Sequence, residues 1–348
     1  MSEQFTHALH GPGQTRDRLH VEPLVDDQVV ASPAFVESLE RRDSLRAVDV
    51  GEDRQRRQPV GHVPAIAHLG EDPVEIDGLA GGREIGETEV AQTPLLEIVR
   101  GKETSAEVLR SVLYLSTIMR KIGVVVGNSP GFAANRTLEG YGRESEFLVL
   151  EGARPEDVDR ALTGFGFPMG PCAMGDMAGL DIRSDYLAAL RDAQLIPADP
   201  RYGALTKALV AAGRLGQKTA AGNYDYGPDG RTPVPSARAL EIRDRVAAEL
   251  GVPQRTFTDE EIVMRCLLPV VVEAARVLAE GVVPRASDID VLWVYGYGFP
   301  AAKGGPVYLA RQLGLDAVRQ GIAAQRRADP QFGDRYWAPS APLELLFA

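Results

Sequence analysis

The sequence predicts a mainly α-helical protein, in which two tandem helical lobes follow a short strand–helix–strand unit and a poorly structured amino-terminal segment. Three observations support this prediction. Residues 264–281 repeat the pattern of residues 135–152, the stretch 104–121 reads as an amphipathic helix, and the composition changes abruptly near residue 92. With 348 residues, the chain is long enough to bury more than one core.

The first 92 residues are unlike the rest of the chain, because they contain no Lys, Cys, Tyr, Trp or Asn. All five histidines lie here: His7, His10, His20, His62 and His68. None of them has the spacing of a helical metal site, and proline interrupts the apolar pieces around them. Apart from one weak helix near Pro33–Val48, we find no regular period, so we assign residues 1–92 no fold and expect them to be disordered or non-native.

Two glycine-rich stretches have the outline of a dinucleotide-binding turn. "GPGQTR", Gly11–Arg16, carries arginine where the third glycine is needed, and no apolar strand precedes it. "GYGFPA", residues 296–301, follows a helical pattern rather than a strand. We therefore predict that neither binds a phosphate and that the second is a structural turn.

Residues 93–127 predict a strand, a helix and a second strand. Leu95–Val99 is apolar except for Glu97 at its centre, where a buried carboxylate requires a partner. The helix covers Thr104–Lys121, with Thr104 or Ser105 as its cap and Gly123 at its end. The second strand is 124–126.

The remaining residues predict two helical lobes, at 128–235 and 236–348. Each unit has a long helix, a shorter helix that begins with acidic residues, and a Gly-aromatic-Gly-Phe-Pro turn; two such units can cover each other's apolar faces. The aligned pairs in the long helices are Arg136 with Arg265, Leu138 with Leu267, Glu144 with Glu273, and Glu151 with Glu280. Residues 213–235 are rich in Gly, Pro, Asn and Asp, which indicates an ordered connecting loop.

Composition excludes several functions. A net charge of −11 without a basic stripe is unfavourable for nucleic-acid binding, and no apolar run is long enough for a membrane span. Cys172 and Cys266 match no metal or redox spacing, so we expect both to be reduced, buried and inert in a cytoplasmic protein.

Six stretches carry a resemblance to a known family: "PLLEIVRGKETS", "SPGFAANR", "EGARPEDVDRALTGFGFPMGP", "GDMAGLDI", "GRLGQKTAAGNY" and "ASDIDVLWVYGYGFPAAKGGP". In this order, from Pro94 onward, the chain resembles the 3-hydroxyacyl-CoA dehydrogenase family, in particular the dehydrogenase part of the multifunctional fatty-acid β-oxidation proteins. The resemblance implies that residues 93–127 are a remnant of a dinucleotide-binding domain. It also implies that the lobes are repeats like those of the 6-phosphogluconate dehydrogenase carboxy-terminal domain.

The resemblance implies a chemistry and its residues. Family members oxidise the 3-hydroxyl of an acyl-CoA and pass hydride to NAD, while a histidine paired with a glutamate removes the hydroxyl proton. The glutamate maps onto Glu97, and the asparagine that holds the substrate oxygen maps onto Asn135, which can equally cap its helix. Substrate-binding residues would be Pro168, Met169, Gly170 and Lys218, although Lys218 can instead be solvated or locally paired.

The chain departs from the family at the histidine, because Ile85 stands in its place and no histidine follows His68. For His62 or His68 to reach Glu97 instead, the chain would have to follow a different path, and we do not expect this. The glycine-rich strand–turn–helix is also missing, which predicts a truncated, catalytically impaired member that does not bind NAD. Without the rest of the sheet, we expect Glu97 on a half-exposed strand and open edges on the strands at 95–99 and 124–126. An alternative is a non-catalytic assembly module that associates with itself or with β-oxidation subunits. We expect residues 1–92 to be unrelated to the family domain.

Overall fold

The protein's structure, a computed structural model, describes residues 94–348 together with two short strands, Ala65–Leu69 (β1) and Ile76–Asp77 (β2), for which it gives the backbone pairing. The predicted helix near Pro33–Val48 and the stretch Gly11–Arg16 lie outside the described residues.

A four-stranded sheet begins the described fold, in the order β2-β1-β3-β4, where β3 is Leu95–Arg100 and β4 is Ile122–Gly127. β3 pairs in parallel with β1 on one side and with β4 on the other, and β2 is antiparallel to β1. The strand β1 was not anticipated from the sequence, because Pro64 directly precedes it and its five residues are too few to fix a period.

The position of β3 corrects one expectation. We expected a half-exposed strand with an open edge, whereas β3 lies between two partners and its residues 95–99 are buried. Alternate side chains face opposite layers: Leu96 and Ile98 pack against Val112 of the helix α1, Ala106–Ile118, and Leu95 and Val99 join the main core. In this sheet, as the structure describes it, the end strands are β2 and β4.

The predicted elements of this unit are confirmed with small shifts at their ends. The helix α1 starts two residues later than expected, because Ser105 is its cap and its hydroxyl accepts a hydrogen bond from the Val108 N–H. The second strand is longer than predicted at both ends.

Helices make up the rest, as predicted. They are α2 (Ala134–Leu150), α3 (Pro155–Phe165), α4 (Pro171–Ala178), α5 (Leu180–Asp192), α6 (Ala204–Ala211), α7 (Ala237–Glu249), α8 (Asp259–Ala279), α9 (Ala286–Gly296), α10 (Pro306–Leu313), α11 (Leu315–Ala328) and α12 (Gly333–Trp337). The connecting loop carries a small antiparallel hairpin of β5, Tyr224–Tyr226, and β6, Pro233–Pro235. No helix within residues 94–348 is both long and apolar enough to span a lipid bilayer.

The two halves of the sequence repeat are also equivalent in three dimensions. We call α2–α6 the first lobe and α8–α11 the second; the predicted boundaries at 128–235 and 236–348 stay predictions. The long helices α2 and α8 pack against each other, and a Cβ on Gly140 would lie 2.5 Å from the Cβ of Pro269, the residue aligned with it. The helices therefore cross at equivalent positions.

Reciprocal ion pairs flank this crossing. Arg136 of α2 donates to Glu273 of α8 and to Glu280, while the aligned Arg265 donates to Glu144 of α2 and to Glu151. The second set is the more buried one, with Glu144 only 1% exposed. The aligned arginines and glutamates of the sequence repeat are thus partners across the lobe interface.

The turns repeat in the same way. Asp159 accepts hydrogen bonds from the N–H groups of Cys172 and Ala173 at the start of α4, and Asp290 accepts from Val307 and Tyr308 at the start of α10. Each carboxylate satisfies donors at a helix start that begins with proline. Burial raises the pKa of both Asp159 and Asp290 to about 6.

The Gly-Phe-Pro turns of the two lobes also pack on each other. A Cβ on Gly166 would meet Pro300, and a Cβ on Gly298 would meet Pro168, at 2.8 and 2.7 Å respectively. Both glycines have positive φ, at 124° and 70°. The stretch 296–301 follows the helix α9, which confirms that it is a structural turn.

Candidate functional site

Glu97 is buried at the start of the helix α2. Its side chain is 1% exposed, and Oε1 accepts hydrogen bonds from the backbone N–H groups of Ala133, at 2.9 Å, and Ala134, at 3.1 Å. Donors at a helix start have no partner within the helix and carry partial positive charge, so they are suitable partners for a carboxylate. The partner that the sequence required for Glu97 is therefore, among the described residues, a helix start.

The protonation of Glu97 is finely balanced. Burial disfavours the carboxylate and is the larger effect, and the hydrogen bonds from Ala133 and Ala134 oppose it, so the pKa of Glu97 rises from 4.5 to about 7. A carboxyl group with this pKa exchanges its proton near neutral pH, which is the range in which acid–base groups work.

Asn135 lies one residue further along α2, with its side chain partly buried. Its Oδ1 accepts a hydrogen bond from the Tyr297 hydroxyl of the second lobe at 3.1 Å. Because the first N–H groups of α2 are bonded to Glu97, Asn135 does not cap this helix, and that alternative is wrong. The sequence analysis did not identify Tyr297; the one available signal is that Phe165, without a hydroxyl, stands at the equivalent position of the first turn.

The strand β1 lies beside Glu97 in the sheet. Its backbone register pairs Ile66 with Glu97 and His68 with Val99. The pairing places residues 65–69 beside this domain. That residues 1–92 are unrelated to the family domain stays a prediction. The side chains of β1 lie outside the described part of the structure.

The other predicted site residues form separate groups. Pro168 is exposed beside Gly298, and Gly170 leaves no room for a side chain, because a Cβ there would lie 2.3 Å from the carboxyl group of Asp159. Met169, between them, is partly buried. Lys218 forms an ion pair with Asp181. A locally paired lysine was one of the alternatives that the sequence left open. Among residues 94–348, no hydrogen bond or ion pair joins these residues to Glu97 or Asn135.

Aromatic packing links the 166–171 turn to the site indirectly. Phe167 contacts Trp293 with ring centroids 6.5 Å apart, and Trp293 contacts Tyr297 at 5.2 Å. Trp293 also donates from Nε1 to Thr137 of α2. The second lobe thereby fixes the position of the α2 start that carries Asn135.

A groove of about 660 Å³ lies between α2, α5 and α8, and it is lined by Arg136, Arg143, Tyr186 and Glu273 among others. Neither Glu97 nor Asn135 lines it.

The two cysteines are free and buried as expected, and burial raises the pKa of both thiols. Within the described residues, no cluster of His, Cys, Asp and Glu has the arrangement of a metal site.

Within residues 94–348, the turn between β3 and α1 lacks the glycine pattern of a dinucleotide-binding turn. The turn from β3 into α1, residues 101–105, has one glycine and leads to a helix start capped by Ser105. Its sequence, "GKETS", lacks the second glycine, which lets the backbone approach a pyrophosphate, and the third, which lets the helix pack closely on the strand.

Comparison with solved structures shows which class of proteins shares this fold. The fold matches that of 3-hydroxybutyryl-CoA dehydrogenase from Escherichia coli, with a TM-score of 0.57 and 21% identity over 73% of this chain and 67% of that one. The dehydrogenase part of multifunctional enzyme 1 from C. elegans matches with a TM-score of 0.53 and 29% identity, over 69% of this chain and 53% of that one. The architecture is that of the helical region of these dehydrogenases.

The family follows from the sequence comparison. The model of the 3-hydroxyacyl-CoA dehydrogenase carboxy-terminal domain matches residues 131–226 and 262–348, a little over half of the chain, so the chain belongs to this family. The peroxisomal bifunctional enzyme of Homo sapiens is 38% identical over 246 residues, which cover 68% of this chain and 34% of that protein. The chain spans about a third of the length of these curated relatives.

Proposed function

We propose that this chain provides the acyl-CoA-binding helical part of an NAD-linked 3-hydroxyacyl-CoA dehydrogenase of fatty-acid β-oxidation, in a form impaired in hydride transfer. The observation that carries the proposal is the buried Glu97 carboxyl group bonded to the start of α2, with the Asn135 amide beside it. Two relatives are named as fatty-acid oxidation proteins, which supports this substrate class.

In this proposal, Asn135 donates a hydrogen bond to the 3-oxygen of the substrate, and Glu97 supplies the negative charge beside it. Pro168, Met169, Gly170 and Lys218 would border the rest of the acyl-CoA. Residues 94–348 contain no histidine to accept the hydroxyl proton. Loss of a general base typically costs about 10²–10⁴ in rate, and the dinucleotide-binding glycines are missing as well.

We place the protein in the cytoplasm, where its two free cysteines stay reduced.

The test separates binding from turnover. Calorimetry with acetoacetyl-CoA measures binding by the purified full chain, and absorbance at the NADH band measures turnover of 3-hydroxybutyryl-CoA with NAD. We expect binding, with turnover at or below background. Absence of binding would contradict the proposed substrate class. Turnover that disappears in Glu97→Gln would contradict the proposed impairment.

The second candidate function is an assembly module, favoured by one observation. The helix α1 exposes Val108, Tyr114 and Ile118, and β4 beside it is an end strand. Apolar side chains next to an open strand favour association with another chain, either a second copy or a β-oxidation subunit. Light scattering after size exclusion should then give a mass that rises with concentration, and Ile118→Lys should lower it. A monomer at high concentration would exclude self-association.

A further inference from the structure

Tyr297 decides which way the Asn135 amide points. An asparagine side chain carries an acceptor oxygen and a donor NH₂ group, and its direction follows from its hydrogen-bond partners. The Tyr297 hydroxyl donates to Oδ1 at 3.1 Å, so Oδ1 is already occupied. The NH₂ group must then point away from Tyr297.

The Asn135 NH₂ group is left available for a ligand. Within residues 94–348, Nδ2 donates no hydrogen bond, and it is not among the fully buried polar atoms without a partner. It therefore keeps contact with solvent. A free donor beside a carboxyl group that titrates near neutral pH suits the carbonyl oxygen of a ligand.

Tyr297 is itself held by several contacts. It follows α9 in the Gly-Tyr-Gly-Phe-Pro turn, its ring packs on Trp293 with centroids 5.2 Å apart, and Trp293 is anchored to Thr137 of α2. Burial raises the pKa of Tyr297 far above its usual range, and the nearby Glu97 raises it further, so the hydroxyl keeps the proton that it donates to Oδ1. The direction of the Asn135 amide is thus controlled from the second lobe.

We infer that Tyr297 is a positioning residue: it holds Oδ1 of Asn135 so that the amide NH₂ group donates to the 3-oxygen of a 3-oxoacyl or 3-hydroxyacyl thioester. This inference rests on the proposed function. It adds that recognition of the 3-oxygen depends on a hydroxyl from the second lobe.

The test compares two thioesters of equal length with the full chain. Acetoacetyl-CoA carries the 3-oxygen and butyryl-CoA lacks it. One hydrogen bond should make acetoacetyl-CoA bind about three- to tenfold tighter to the unaltered chain. In Tyr297→Phe this ratio should fall towards one, while the affinity for butyryl-CoA stays the same. Tyr295→Phe, an exposed tyrosine two residues away, is the matched control and should keep the ratio.

A second variant tests the direction of the amide. Asn135→Asp keeps an oxygen for the Tyr297 hydroxyl but removes the NH₂ donor, so it should also lose the preference for acetoacetyl-CoA. A Tyr297→Phe variant that keeps the ratio, or that weakens both ligands equally, would overturn the positioning role. Equal binding of both ligands to the unaltered chain would overturn it too, while leaving acyl-CoA binding intact. If neither ligand binds, the proposed function fails and the role of Tyr297 fails with it.

Discussion

Glu97 illustrates how far single residues can be interpreted from the sequence. An acid at the centre of an apolar strand requires a partner, and that requirement was predicted correctly. The described partner is the backbone of Ala133 and Ala134, which lie more than thirty residues away in the chain. Backbone N–H groups have no residue-type signature, so only the packing of α2 against the sheet could identify them. Tyr297 was missed for a related reason, because its contact joins residues far apart in the sequence.

The raised pKa of Glu97 predicts a dependence of stability on pH. The folded state keeps the Glu97 proton up to about pH 7, whereas in the unfolded chain the group has the ordinary value of 4.5. Between these values the folded state binds more protons, so the free energy of unfolding falls as pH rises. From pH 5 to pH 8 this loss amounts to about 2–3 kcal/mol.

Glu97→Gln should remove this pH-dependent fall in the free energy of unfolding. The glutamine amide oxygen can still accept hydrogen bonds from the N–H groups at the start of α2, and the side chain does not titrate. We expect the free energy of unfolding of the variant, relative to the unaltered chain, to rise by about 2–3 kcal/mol between pH 5 and pH 8. Urea unfolding at both pH values measures the difference, in which the titrations of Asp159 and Asp290 cancel. A difference that is the same at both pH values would mean that Glu97 titrates normally.

At the scale of elements, the crossing of α2 and α8 depends on a missing side chain. A Cβ on Gly140 would lie 2.5 Å from the Cβ of Pro269, so Gly140→Ala must push the helices apart. We expect it to lower the free energy of unfolding by about 1–3 kcal/mol, although alanine favours helix more than glycine does. Gly164→Ala in α3 is the control, because nothing lies within 4 Å of its Cβ position. It should raise the free energy of unfolding by about 0.5–1 kcal/mol.

Thermal or urea unfolding of the two glycine variants gives the test. If Gly140→Ala stabilises the chain as Gly164→Ala does, the long helices are not in close contact at Gly140 and Pro269.

The reciprocal ion pairs allow a comparison within one molecule. Among the described residues, Arg265→Met leaves the buried Glu144 with Arg143 alone to pair with it, and it leaves Glu151 with Arg255 at 3.8 Å. Uncompensated buried charge is costly, so we expect a loss of about 3 kcal/mol or more. Arg136→Met should cost about 1 kcal/mol, because Glu280 is half exposed and Arg276 also pairs with Glu273. Equal losses for the two variants, measured by urea unfolding, would show that burial does not set the cost.

For the whole molecule, the repeat carried most of the predictive information. Alignment of Arg136 with Arg265 and of Glu144 with Glu273 predicted two equivalent lobes, and the structure confirms the mainly helical, two-lobed fold. The alignment could not predict that each arginine binds the other lobe's glutamates, since a repeat fixes equivalence but not contact. The strand β1 was missed because five residues after a proline are too few to show a period.

The two lobes should unfold together, because the contacts that hold them together involve the long central helix of each lobe. The crossing of α2 and α8, both ion-pair clusters and the interlocked Gly-Phe-Pro turns would all be lost if one lobe opened alone.

Both tryptophans, Trp293 and Trp337, follow the first lobe in the chain, and Trp293 donates to Thr137 of α2. Far-UV circular dichroism reports the helices of both lobes, whereas tryptophan fluorescence reports the later half. We expect the two signals to give coincident urea transitions in the unaltered chain and in Arg265→Met, where both shift to lower urea by the same amount. A fluorescence transition that separates from the helix signal would mean that the lobes are independent units. The control of Asn135 by a second-lobe tyrosine would then lack the rigid connection between lobes that it requires.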